Sequence, residues 1–538
     1  MKKEKIDKKK TGFSLLKKIM PNNSSEPRES LKFSEEKLKN EKTSLNADSS
    51  KIKISKNIQD NINYIKKLIG DDPTVKIREF HTKADTPIKC AAFFLDGLSD
   101  DTVISEQFIK PLILSDAPVS NNVLNTVMSE ILYGGDCVST CEMADMVSAI
   151  LAGDTAIFFD NCDQGIVADT KGYKLRSIEE PQNEKALKGP REGFVENLMT
   201  NISLLRRKLQ TVDFKIRFFT FGRKSNTKIS VCYLDSVVNK KALALLYERL
   251  EKIDMDAVLD GNYLEEFITD KFFTSFRTIG DTERPDTAAA KMLEGRIVIM
   301  VNGSPSVYTV PYLMIESFQT SDDYYANSFY ASFMRVLRII SYFLAIMVPG
   351  FFVALISFHN YMLPKELITS FISARQGVPL PTIVECVALL LAFEILRETA
   401  LRVPGSIGQP LSIVGAIVLG DAAISARYAS APMLIVIAVS CLAGLLVQNT
   451  KNSILFFRIF FLVASSVLGM YGFLLAFLVF IIHLLSLKSF GVDYFDYNIF
   501  KSPQKQKDYL VRAPWWTMLM FPEYLTKAKY RQKSGREK

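Results

Sequence analysis

The sequence predicts an α/β cytoplasmic N-terminal region of two subdomains, followed by an α-helical multi-pass membrane domain. Three observations lead there. The chain is 48% hydrophobic yet 23% charged, with a mean hydropathy of +0.11, so apolar and charged residues must be segregated along its 538 residues. From residue 56 to about 330, strand-length apolar runs alternate with segments of helical periodicity. Beyond 330, apolar stretches reach the length of about 20 residues that a bilayer crossing needs.

Residues 1–55 are rich in Lys, Ser, Asn and Glu and read as a disordered basic tail. The first 56 residues carry 16 basic and 8 acidic side chains, and residues 488–538 carry 11 and 5. Basic ends on a membrane protein favour an anionic cytoplasmic leaflet over nucleic acid, with solvated tails as the alternative. The opening MKKEKIDKKKTGFSLLKKIM lacks the apolar run and cleavage site of a signal peptide, so the N-terminal region is expected to stay in the cytoplasm.

The first subdomain of the α/β region is assigned to residues 56–185. Ile58, Ile62, Ile65 and Leu68 fall at helical spacing before Gly70. KCAAFFL (89–95) reads as a buried strand, 101–114 as an amphipathic helix, and 155–160 and 165–169 as strands. A second subdomain is assigned to 186–330. It should hold a long helix over 192–209, a hairpin of 214–221 and 228–234, a helix over 239–253, and a second hairpin around Asn302-Gly303.

The membrane domain is placed at 331–490, with four to six hydrophobic segments: 333–358, 382–396, 411–426, 432–447 and 454–487. The last is apolar for 34 residues, about 50 Å of helix and too long for one upright span, so Gly469 and Gly472 should break it in two. The segment at 382–396 carries Glu385 and Glu394 and reads as half-inserted or shielded by protein. The basic tail 491–538 belongs in the cytoplasm with the N-terminus, so the number of crossings is even.

Enzyme chemistry finds no foothold. Dinucleotide, phosphate-loop, zincin and nucleophile-elbow motifs are all missing, and there are 3 histidines. Seven cysteines without regular spacing fit a reducing compartment rather than a metal site. No cofactor is expected.

Two stretches carry the functional reading. In EILRETALRVP (394–404), Glu394 and Glu398 share a helical face; Arg397 lies three residues from Glu394 and Arg402 four from Glu398. Charges at bilayer depth mark pathways or switches, while the bland alternative is a helix end at the headgroups. The following segment is dense in small residues, which suit close helix packing or a helix lining a narrow pore. In the pore reading Val414, Val418 and Leu419 form an apolar constriction and Asp421 attracts cations at the mouth. In the cytoplasmic region Arg191, Glu192, Glu196, Arg206 and Arg207 crowd one helix and its entry, and Arg284 lies near Asp286. These are either solvated faces or interfaces between subunits or subdomains.

The run RETALRVPGSIGQPLSIVGAIVLG (397–420) resembles the signature of GerA-type germinant receptor A subunits. GPREGFVENLMTN (189–201), ERPD (283–286), EGR (294–296), VNGSP (301–305), DDYY (322–325) and FHNYMLP (358–364) are similar to further motifs of that family, in the same order. The chain departs from it at Thr399-Ala400, where Ala-Gly is common, and at Asp421, where Gln is common. The stage V sporulation protein AF, a paralogue, shares the fold. The resemblance implies a subunit in the inner membrane of dormant spores. Its partners would be a transporter-like, nutrient-binding B subunit and a C subunit lipoprotein, with copies of the A subunit oligomerising around a cation-conducting pore. A secondary transporter and a membrane scaffold that relays the signal are the competing readings.

Overall fold

The computed structural model describes residues 52–70, 72–83, 87–114, 137–172, 180–181, 184, 188–270, 274–402, 418, 420–495 and 507–518. Two α/β units come first. In the first, Asn57 caps α1 (Ile58–Ile69), whose isoleucines pack under strands β1 (Val75–His81) and β2 (Lys89–Leu95). A helix over 101–114, with a π-turn at Ile104–Ile109, is α2. Then come β3 (Cys137–Thr140), α3 (Met143–Ala152), β4 (Thr155–Phe159) and β5 (Gly165–Ala168). The core reaches back to Ile54, which is buried and donates its N–H to the Cys141 carbonyl.

The second unit holds α4 (Leu198–Lys208), β6 (Phe214–Phe221), β7 (Thr227–Leu234), α5 (Lys240–Glu251), α6 (Gly261–Ile268), β8 (Gly280–Thr282), α7 (Pro285–Leu293), β9 (Ile297–Val301) and β10 (Val307–Val310). The expected helix over 192–209 starts later, at Leu198, because the Asn197 side chain accepts the Thr200 N–H and so caps the first turn. The two sheets share one topology. Their strand orders are β1-β2-β4-β5-β3 and β6-β7-β9-β10-β8, all pairs antiparallel. Each sheet buries both faces against separate apolar clusters.

An apolar helical bundle follows: α8 (Ser328–Phe358), α9 (Lys365–Arg375), α10 (Thr382–Arg402), α11 (Ala431–Leu445) and α12 (Lys451–Ser486). Two of these, α8 and the segment containing α12, are long and apolar enough to cross a membrane. The second is a hairpin. In one straight helix Phe457 and Phe480 would lie about 34 Å apart, but their ring centroids are 4.9 Å apart and those of Phe461 and Phe473 are 5.4 Å apart. Gly469 makes the turn at φ +60°. A Cβ there would lie 2.8 Å from Phe358 and 2.9 Å from the His359 ring, so glycine is required for space as well as backbone. The break expected from the length of the apolar run is therefore present at Gly469.

Contacts fix the direction of each helix. Along α8, Tyr342 meets Ser453, Ala345 meets Arg458, Gly350 abuts Phe461, and Phe358 reaches Gly469. The first arm of α12 thus runs alongside α8 in the same direction and the second arm returns. The bundle's basal end carries the α/β units: Phe276 packs at a tilt against Phe457 and stacks on His483, and Ser489 Oγ links the Tyr312 N–H to the Thr278 carbonyl. The distal end holds His359, α9 and the start of α10.

Candidate functional site

Pro349 sits inside α8 and has no N–H to give the Ala345 carbonyl, four residues back. In an apolar bundle that carbonyl needs another donor. Two side chains supply it. Ser440 Oγ of α11 donates at 2.8 Å, and Arg458 Nε of α12 at 2.9 Å. Arg458 is almost fully buried. Its charge is balanced by Glu394 of α10, 3.5 Å away, and Glu394 also pairs with Arg397 at 2.5 Å. One proline thus organises a polar junction to which four helices contribute.

A second buried acid lies at the distal end. Glu385 accepts hydrogen bonds from the backbone N–H and the hydroxyl of Ser430, both at 2.6 Å, and Arg375 stands 3.7 Å away. Ser430 immediately precedes α11, so this acid ties α10 to the start of α11, while Glu394 ties α10 to the basal arm of α12. The Glu385 side chain is fully buried, and that of Glu394 is 20% exposed.

The residues expected to act in this region divide as follows. Glu394 and Arg397 form the predicted pair. Glu398 is exposed, and the Arg402 side chain lies outside the described residues. Val414 and Leu419 also lie outside them; Val418 is helical and exposed, and Asp421 is exposed on the helical turn 420–425. Arg458 was not anticipated. It reads in sequence as a lone charge near a helix end, and the signal that points to it is Pro349, which announces a carbonyl in need of a donor.

At the base of the bundle, Arg335 is fully buried between Asp323 and Asp508 and donates to the carbonyls of Asp508 and Tyr509. Arg338 forms a second pair with Asp323 at 2.9 Å. The start of α8 is thereby locked to the linker before it and to residues 507–512.

The candidates of the α/β region lie mostly within and between its two units. Arg206 is buried against Asp72 of the first unit and donates to Thr74 at 3.0 Å. Ser203 Oγ donates to the Gly97 carbonyl, and Lys215 Nζ to the Ile69 carbonyl. Helix α4 is therefore the seam between the units. Glu192 pairs with Arg207 and Lys208, whereas Arg191 and Glu196 are exposed. Arg284 is buried and grips Asp286 through Nε at 3.1 Å and Nη2 at 2.7 Å, while also donating to the Pro190 carbonyl. Burial works against the Asp286 charge, yet hydrogen bonds from Arg284 and Tyr325 hold its carboxyl below the usual range. Arg296 adds a further buried pair with Glu316 at 3.0 Å.

Residues 63–524 match the family described as Bacillus/Clostridium GerA spore germination protein. The chain is 35% identical over 476 residues to spore germination protein KA of Bacillus subtilis, covering 88% of each chain. It is 33% identical to the uncharacterized membrane protein YfkQ of the same organism, covering 82% of this chain and 87% of that one. Spore germination protein GerLA of Bacillus cereus is 30% identical, over 85% of this chain and 93% of its own. Among solved structures, the N-terminal domain of the A subunit of the Bacillus megaterium spore germinant receptor GerK3 aligns with 49% of this chain and 98% of its own, at 25% identity and a TM-score of 0.39. The chain belongs to the GerA family of spore germination proteins.

Proposed function

We propose that this chain is the A subunit of a nutrient germinant receptor and that copies of it form a nutrient-gated cation channel in the spore inner membrane. Its partners are a transporter-like B subunit that binds the nutrient and a C subunit lipoprotein. The helical bundle is a multi-pass membrane domain with six crossings, both termini and the α/β units facing the spore core. Helix α8 runs outward, α10 inward, α11 inward, and the α12 hairpin out and back. Helix α10 ends at the basal side and α11 begins at the distal side, and the third crossing of this reading is the apolar sequence segment 411–426.

The observation that carries the channel reading is the Arg458–Glu394 pair inside an apolar bundle. Ionised groups at that depth are costly and persist where they serve a pathway or a two-state element. An anchor would need only the apolar helices.

The test is monovalent cation flux into liposomes containing the purified protein, alone and with its B and C partners. Nutrient should open a flux in the full complex, Val418→Ala should make it leaky without nutrient, and Glu394→Gln should abolish the nutrient response. A verified complex that binds nutrient and passes no cations would leave the scaffold reading, in which the chain relays the signal to another membrane protein.

A further inference from the structure

The base of α8 carries a patch that the receptor reading does not use. Phe329, Tyr330 and Phe333 open this helix and are 81%, 57% and 61% exposed. The segment 507–518 lies against the same turn, because Ser332 Oγ accepts the Arg512 N–H at 3.0 Å. That segment presents Trp515 and Trp516, each about half exposed. Five large aromatic side chains therefore face outward within a few residues of the Ser332–Arg512 contact.

Their setting is rigid. Asp508 is held by Arg335 and by the Tyr324 hydroxyl at 3.2 Å. Arg512 donates to the Tyr324 carbonyl and lies over the Trp515 ring at 5.3 Å. Lys507 Nζ donates to the Thr517 carbonyl at 3.1 Å. The tryptophans are thus fixed at one level of the bundle, where α8 begins and the charges of Arg335 and Arg338 are already neutralised by Asp323 and Asp508. Above that level the exposed face of α8 continues as Val336, Ile340 and Leu344.

Patches of exposed aromatic residues of this kind mark interaction sites. Amphipathic aromatic rings at the end of an apolar helix match the headgroup layer of a bilayer, where one side of the ring meets hydrocarbon and the other meets water. Charge points the same way, since residues 488–538 carry 11 basic and 5 acidic side chains and anionic lipid attracts such segments. We infer that Trp515 and Trp516, with Phe329, Tyr330 and Phe333, form an interfacial anchor seated in the lipid headgroups of the leaflet on the α/β side. The inference rests on the membrane reading above and adds a lipid-binding role for the C-terminal segment.

The chain has two tryptophans, both in this segment, so intrinsic tryptophan fluorescence reports on it alone. The full-length protein is reconstituted in vesicles of phosphatidylcholine and phosphatidylglycerol whose acyl chains carry bromine either near the headgroup or near the chain end. Retention in the vesicles after alkaline carbonate washing is measured on the same sample. The expected result is retention, with quenching several-fold stronger from bromine near the headgroup than near the chain end, and weak quenching by aqueous iodide. Retained protein whose tryptophans are quenched by iodide and not by either lipid would overturn the anchor and leave the membrane reading intact. Retained protein shielded from both quenchers would also overturn it, by assigning the patch to a protein partner. Loss of the protein on washing would overturn the membrane reading itself.

Discussion

Arg458 holds its place by geometry more than by charge. Its guanidinium shares with Ser440 the donor vacancy that Pro349 creates at Ala345, and Glu394 keeps the charge tolerable. Removing one member of a buried pair costs about 3–5 kcal/mol when the other is left uncompensated, and less here because Arg397 still pairs with Glu394. Arg458→Met should therefore lower the melting temperature of the detergent-solubilised protein, by less than that full cost. The geometry makes a sharper claim as well. Pro349→Ala restores an N–H four residues after Ala345, so the same Arg458→Met change should cost less in that background, by about 1 kcal/mol for the recovered hydrogen bond. Equal costs in both backgrounds would show that the carbonyl does not need Arg458. The residue was illegible from its neighbours because ILFFRIFF offers no partner within a turn. Its partners come from three other helices, and local spacing carries no record of them. Glu394 and Arg397 were legible for the opposite reason, since their spacing of three places both on one helical face.

Elements were legible in proportion to how fully they are buried. KCAAFFL is apolar on both faces because β2 lies inside the sheet, and its limits match the apolar run. Its neighbour β1, VKIREFH, is an edge strand with four charged or polar positions exposed, so it offers no apolar run to read. The α12 hairpin lies between these cases. Its length demanded a break, and the glycines suggested where. Gly469 gives a prediction whose sign separates the alternatives. Were residues 451–486 one continuous helix, Gly469→Ala would stabilise it by about 1 kcal/mol through helix propensity. In the hairpin, alanine must adopt a strained backbone and press on Phe358, at a cost of about 1–3 kcal/mol. Thermal unfolding of the Gly469→Ala protein should thus shift downward, and an upward shift would remove the turn.

At the scale of the whole molecule, two similar α/β units are joined to a bundle by buried ion pairs at successive seams. Arg206–Asp72 closes the seam between the units, Arg296–Glu316 lies where the second unit leads toward the bundle, and Arg335 with Asp323 and Asp508 locks the first long helix to its flanks. A displacement of the α/β units would therefore reach α8 through paired charges rather than through a loose linker. This chain of contacts has a sidedness that can be measured. Lys451 and Lys488 bracket the α12 hairpin at the basal end, while Lys365 opens α9 at the distal end. All three lysines are exposed. Single cysteines placed at these positions, in a background lacking the exposed Cys141, should label from opposite sides of a sealed vesicle with a membrane-impermeant maleimide. In right-side-out vesicles Lys365→Cys should react at once, and Lys451→Cys and Lys488→Cys only after permeabilisation. Reaction of Lys365→Cys and Lys451→Cys from the same side would mean that the first arm of the hairpin and α8 do not cross together. Divergent reaction of Lys451→Cys and Lys488→Cys would mean that the chain passes through the membrane once between them, as a straight α12 requires. Only the hairpin places 451 and 488 together on one side with 365 on the other, and that arrangement sets the even count of crossings on which the proposed topology depends.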